Sequence, residues 1–398
     1  MGMRRTALLL TSMALAVLLA SGAALALPSE TPDDTPMLNG PVRTIAQVGP
    51  NTWVGGNFTQ VKNRDGTVVA DVSNVAVFDT ATGRYVDIAP RLGAGSSTTN
   101  VRDIDVYGGS VVIGGDFPGP TSTQKNLVAA DGTSGEAVRW FDNSPQKMQS
   151  VLAAPGSGRV YGGGVSLQAF DFSTGKKLWT RAKTAVDPDI RTHVTAPGYR
   201  DLELDGSTIW GACACDSVDG NPAKALVKLD AEGAHDASWV LDARTGSAAF
   251  GISVAHYSGS LYLGAGGDDF LAAYSKANGR RDWRRDTSGS AQAVEIMDGQ
   301  LVVGGHFWEV ADQPADRCGG RSSNNAVTLD PYGECQTRKG LAAYSFSGTL
   351  DPAWDPVLSG KYNLAWALEP DATTGRLHLG GEFTKVNGVV QNYYARLS

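Results

Sequence analysis

The chain has 398 residues, a formal net charge of −7, 42% hydrophobic residues and only 19% charged ones. Its 49 glycines make up about 12% of the chain, against a usual ~7%. Glycine weakens helices and permits tight turns, so this excess points to many short strands. No glycine period of three appears, which excludes collagen. Nine Trp, 12 Tyr and 11 Phe spread along the chain exclude a disordered polymer. An acidic chain without a basic run is a poor partner for nucleic acid or an anionic membrane.

The first 26 residues read as an export signal. Arg4 and Arg5 form a basic start, Ala7 to Ala20 is a short apolar run, and Ala24-Leu25-Ala26 has the small-x-small pattern of a cleavage site. No later stretch reaches the ~18 apolar residues of a membrane span. The expectation is a secreted, extracellular protein without a transmembrane segment, comprising a signal at 1–26 and one domain at 27–398.

After the signal, one element recurs along the chain: an apolar strand ending in a glycine pair. Copies are Trp53-Val54-Gly55-Gly56-Asn57-Phe58, Val112-Ile113-Gly114-Gly115-Asp116-Phe117 and Val160-Tyr161-Gly162-Gly163. Others are Leu263-Gly264-Ala265-Gly266, Val303-Gly304-Gly305-His306-Phe307 and Leu379-Gly380-Gly381-Glu382-Phe383, with a degenerate copy at Ile209-Trp210-Gly211-Ala212. Most copies lead into an alternating strand, a tight turn and an aromatic. In Leu167-Gln168-Ala169-Phe170-Asp171 the turn is Thr174-Gly175 and the aromatic Trp179. Before the glycine pairs lie further hairpins, turning at Gly108-Gly109 and at Asp298-Gly299.

Each unit thus supplies about four short antiparallel strands in roughly 53 residues, the blade length of a propeller. The reading is all-β: a single β-propeller of seven four-stranded blades. The last unit lacks its outermost strand, and residues Glu30 to Leu38 are positioned to supply it and join the ends of the ring. The recurrent Trp140, Trp179, Trp239, Trp283 and Trp354 read as packing between blades.

The glycine pair followed by a polar residue and Phe resembles the delta-60 repeats of secreted bacterial propellers. The same doublet before a Phe-Asp strand is similar to Kelch propellers, and Leu167 to Trp179 resembles the PQQ-like repeat. These resemblances imply the fold, and hosts of this fold include enzymes, receptors and scaffolds. A quinoprotein dehydrogenase resembles a longer, eight-bladed chain with an adjacent cysteine pair absent here, so the resemblance does not carry that cofactor over.

Loop lengths point to one face. The turns between first and second, and third and fourth, strands are uniformly short, whereas the excess length falls at Thr59–Asp71, Ala182–Tyr199 and Trp308–Lys339. Variable loops on a rigid scaffold are where binding concentrates. The polar residues after the glycine pairs, Asn57, Asp116, Asp268, His306 and Glu382, end strands on that same side. If they project to the axis they form a polar ring; otherwise they satisfy strand-end backbone groups. Trp308 and Tyr332 break the repeat within the longest insertion, 308–339, and are contact candidates.

Of the four cysteines, Cys318 and Cys335 flank that insertion and are expected to form a disulfide. Cys213 and Cys215 pair only if the chain turns locally between them. The spacings do not make a zinc site, and no G-x-S-x-G, P-loop, H-E-x-x-H or EF-hand motif is present. The leading expectation is a monomeric, non-enzymatic binding propeller with no metal, cofactor or catalytic residues, presenting its loop-rich face to a glycan or extracellular protein. The alternative is an extracellular enzyme, metal- or carboxylate-dependent, polysaccharide-active or quinoprotein-like, using Asp116, Asp268, Glu382 and His306 at the axial mouth. A third reading is a structural module of an envelope assembly.

Overall fold

A computed structural model describes residues 27–92, 99–142, 146–186, 197–242, 245, 248–313, 318, 334–360 and 364–398. The export signal expected at 1–26 lies outside them, as does Tyr332. Among the described residues strands dominate, and no helix is long and apolar enough to cross a membrane.

Antiparallel sheets follow one another along the chain, each a meander beginning with one inner strand. These inner strands are β1 (Val42–Val48), β2 (Asn100–Tyr107), β3 (Ser150–Ala154) and β4 (Gly198–Asp205). They continue with β5 (Phe250–Tyr257), β6 (Ala291–Met297) and β7 (Leu364–Asp371). The sheets starting at β1, β2, β3 and β5 have four strands in sequential order. Those starting at β4, β6 and β7 have three, and isolated bridges Leu229–His235, Tyr344–Leu350 and Pro32–Leu397 add to their outer edges. Successive inner strands pack beside one another, and β7 packs beside β1. This is β-propeller architecture.

Apolar side chains fill the space between neighbouring sheets. Trp53, Val77 and Ala46 of the β1 sheet share a buried cluster with Val101, Ile113 and Val128 of the β2 sheet. The repeating tryptophans tie sheets together as their period predicts. The Trp239 indole donates to the Lys276 carbonyl at 2.9 Å, and that of Trp283 to the Phe346 carbonyl at 2.9 Å.

Register explains the glycine pairs. In β2, Val101 pairs with Gly115 and Asp103 with Gly114, so Arg102 is an extra, bulged residue. A Cβ on Gly115 would run into the Asn100 carbonyl oxygen, and one on Gly114 into the Val151 side chain of the next sheet. The second glycine therefore makes room for the bulged inner strand, and the first for the neighbouring sheet. The same skip falls at Arg43, Arg200, Ile252, Gln292 and Trp366.

Several of the long insertions are ordered as small satellite sheets. Met37–Leu38 pairs with Gln60–Lys62 and Val68–Asp71, and Thr184–Ala185 with Ser217–Val218 and Asn221–Pro222. Glu309–Ala311 pairs with Cys335–Thr337, and Leu358–Ser359 with Lys385–Val386 and Val389–Val390. In a meander the inner strand starts where the second strand ends, so all these elements emerge on one face. Disulfides join Cys318 to Cys335, with Cα atoms 5.6 Å apart, and Cys213 to Cys215, 5.4 Å apart.

The chain termini meet. Ser29 N–H donates to the Ser398 carbonyl at 2.9 Å and Asp33 N–H to the Arg396 carbonyl at 2.8 Å. Only the first part of the stretch 30–38 runs beside the last strand. Met37–Leu38 leaves it for the satellite hairpin at Gln60–Asp71.

Candidate functional site

The bulges decide which side chains reach the axis. A bulge inserts one unpaired residue and re-aims its side chain. The bulged residues Arg43, Arg102, Arg200, Ile252, Gln292 and Trp366 all line a cavity of about 310 Å³ at the N-terminal ends of the inner strands. The unbulged β3 contributes Gln149, the residue just before it. Since the inner strands begin on the face that carries the satellite sheets, this mouth opens among them.

Three guanidinium groups therefore share one opening. Arg43 stacks on Trp366, its guanidinium carbon 3.5 Å from the ring centre. Burial, with Arg102 nearby, pushes the Arg43 guanidinium down to about 10. Burial likewise lowers Arg200, with Arg102 adding to the effect, and Arg200 donates to the Gln149 side-chain oxygen.

The mouth is continuous with a cavity of about 460 Å³ that the same arginines line together with six carboxylates further along the inner strands. Alternate residues of a strand face one side, so the positions after the bulge form two layers. The upper layer includes Thr44, Asp103, Asp201 and Ser253; the lower includes Asp105, Glu203, Glu295 and Glu369. The upper layer reaches sideways to backbone amides of the next inner strand. Ile104 N–H donates to Thr44 Oγ1 at 2.9 Å, Val151 N–H to Asp103 Oδ2 at 2.6 Å, and Val254 N–H to Asp201 Oδ2 at 2.8 Å. Val294 N–H donates to Ser253 Oγ at 3.2 Å, and in the lower layer Ala153 N–H donates to Asp105 Oδ2 at 2.6 Å. These groups clasp adjacent sheets.

Burial raises all six carboxyls, opposed by the amide bonds where they exist. Asp103, Glu203 and Glu295 stand well above the usual carboxylate range, their carboxyl neighbours adding to the burial effect. Asp105 and Asp201 rise as well. Glu369 is pushed up to about 8 by burial and then Asp105, against the Gln47 backbone amide. Carboxylates raised by neighbours of the same sign occur in functional clefts, but also in structural networks. Among the described residues, no group of three or more His, Cys, Asp or Glu has the arrangement of a metal site.

The residues expected from sequence lie outside this lining. Asp116 ends its strand opposite Asn100, forms a 2.6 Å ion pair with Lys147, and lends its charge to Arg102 next door. Glu382 ends its strand opposite Leu364 and acts in the same way on Arg43. Asn57 is exposed, its N–H donating to the Pro41 carbonyl at 2.9 Å. The Asp268 carbonyl accepts from Arg284 at 3.1 Å, and His306 N–H donates to the Ser290 carbonyl at 2.9 Å. Trp308 sits under the Lys339 ammonium, 5.1 Å from its ring centre. None of these six lines the axial cavities; Asp116 and Glu382 adjoin the mouth arginines.

The axial set has a sequence signal that loop lengths do not reveal. Val42-Arg43-Thr44, Val101-Arg102-Asp103 and Tyr199-Arg200-Asp201 repeat an apolar residue, an arginine and a short acceptor at the start of an inner strand. The arginine is the bulge and the acceptor is the clasp.

Fold and site together define a β-propeller with PQQ-like repeats. The repeat family described as outer membrane protein assembly factor BamB matches residues 59–308, and the chain belongs to that family. No curated protein matches the chain in sequence. Among solved structures, one described as the mitotic checkpoint complex matches with a TM-score of 0.60 at 12% identity, covering 100% of this chain and 99% of that one. The computationally designed Ika8 protein matches with a TM-score of 0.52 at 12% identity, covering 91% of this chain and 98% of its own. At such identities these likenesses speak for the fold alone.

Proposed function

We propose that this chain is an exported, non-enzymatic, monomeric propeller of seven blades that binds a protein or glycan partner through its elaborated face. The observation that carries this reading is the asymmetry of the two faces. Satellite sheets, the Cys318–Cys335 bridge and the arginine mouth share one face, while short turns such as Gly108-Gly109 and Asp298-Gly299 make the other. A rigid scaffold with built-up connections on one side is suited to recognition. The family's description as an assembly factor favours a protein over a glycan. Two disulfides suit an oxidising compartment.

Ring closure belongs to the same proposal. The segment from Ser29 to Asp33 lies along the last strand, and the Arg396 guanidinium donates to the Asp33 carboxylate. Joining first and last blades covers two apolar sheet faces, since Ile45 and Phe78 of the first share a buried cluster with Ala367 and Tyr394 of the last.

The test replaces residues 312–334 by a two-residue turn, with Cys335→Ser because its disulfide partner Cys318 is removed, retaining the hairpin Glu309–Ala311 and Cys335–Thr337. The variant is expected to lose capture of the envelope partner held by the wild-type chain while melting as cooperatively. Undiminished capture of the same partner refutes the role of the insertion.

A further inference from the structure

The axial mouth carries an inference separate from partner binding by the loops. Three guanidinium groups, Arg43, Arg102 and Arg200, converge with Gln149 and Gln292 in one cavity of about 310 Å³. Like charges held together repel, and the opposite charges acting on Arg43 and Arg102 come from Glu382 and Asp116 at the strand ends. Among the described residues neither arginine forms an ion pair, and the buried Nε of Arg43 has no hydrogen-bond acceptor. The carboxylates beneath do not offset this charge by contact, since Asp103 and Asp201 turn their oxygens to backbone amides.

Each of these arginines is placed by a bulge opposite the glycine pair, or opposite Ala212-Cys213 in the β4 sheet. Trp366 lies against the Arg43 guanidinium, and Ile252 and Phe250 add an apolar wall. Guanidinium forks match oxyanions in pairs of hydrogen bonds. We propose that the mouth is a binding site for a compact dianion, a phosphate monoester or a short dicarboxylate, whose oxygens bridge Arg43, Arg102 and Arg200. Its carbon portion rests on Ile252 and Phe250.

The test is calorimetric titration of the full exported chain at low ionic strength with inorganic phosphate and, separately, succinate, using chloride as the control anion. One saturable site per chain is expected for at least one of the two, weakening as salt rises. Phosphate binding alone assigns the ester class and succinate binding alone the dicarboxylate class. Arg102→Gln is expected to weaken binding at least tenfold. Because Arg102 is exposed and faces two like charges, the variant should melt no lower than wild type without ligand. An arginine with a merely structural role would lower the melting temperature when removed. The proposal falls if neither anion gives saturable heat, or if binding survives Arg102→Gln. Arg43→Gln serves as a second variant. Partner capture by the insertion variant is read independently, so either result stands without the other.

Discussion

The Asp103 carboxylate in β2 accepts a 2.6 Å hydrogen bond from the backbone amide of Val151, the residue 48 positions on in β3. Its other oxygen takes the Ile104 amide at 2.9 Å and the Thr44 hydroxyl at 3.2 Å from the sheet on the opposite side. One side chain thus joins three neighbouring sheets at the axis.

That geometry separates charge from acceptor. Asp103→Ala strips the Val151 amide of its acceptor, while the Ile104 amide keeps Thr44 Oγ1, and leaving a buried donor unpaired costs about 1–3 kcal/mol. A loss of about 2 kcal/mol in urea unfolding is expected. Asp103→Asn keeps one acceptor oxygen and removes a charge facing Asp201 and Asp105, so its cost should stay below about 1 kcal/mol. Equal losses for the two variants would show that the charge, not the acceptor, holds the sheets.

Glu369 gives the pH dependence a definite sign. Its carboxyl is pushed from the ordinary 4.5 up to about 8 in the folded chain by burial and by Asp105. Below about 4.5 the group is protonated in both states and costs nothing. As pH rises towards about 8 the unfolded chain ionises first, so stability falls. Above that the folded group ionises as well and the loss levels off. Glu369→Gln stays neutral throughout. Its stability relative to wild type should therefore climb across this window, measured by denaturant unfolding at several pH values. A difference that does not change with pH would overturn the assignment.

Gly115 links the repeat to the axial mouth. A methyl group there meets the Asn100 carbonyl oxygen, which belongs to the backbone and has no rotamer to yield. Gly115→Ala should cost about 1–3 kcal/mol, the range for overpacking a tight site. It should also displace the Arg102 bulge, so that anion binding weakens in the same variant. Calorimetry and unfolding on one preparation check both effects. Gly109→Ala, where a Cβ meets nothing within 4 Å, is the control and should change neither.

Much of the fold was legible from residue patterns alone. A glycine pair after an apolar strand, hairpin turns such as Thr174-Gly175 and recurring tryptophans are local chemistry, repeated often enough to state an all-β fold of propeller type. Backbone sterics make those features report on structure without knowledge of distant contacts.

The axial site was not legible in that way. Arg43, Arg102 and Arg200 lie on separate units of the chain. Each resembles any strand arginine until cross-strand register makes it the unpaired residue. Which side chain a bulge aims at the axis, which carboxylate takes the amide of the next sheet, and how far burial raises Glu369 all depend on non-local pairing and on a shared low-dielectric channel. Sequence alone determined the strands and their glycine pairs, because local sterics set them. Only the tertiary structure decided that three like charges meet at one mouth above a buried acidic wall, because charges interact through the space the fold encloses.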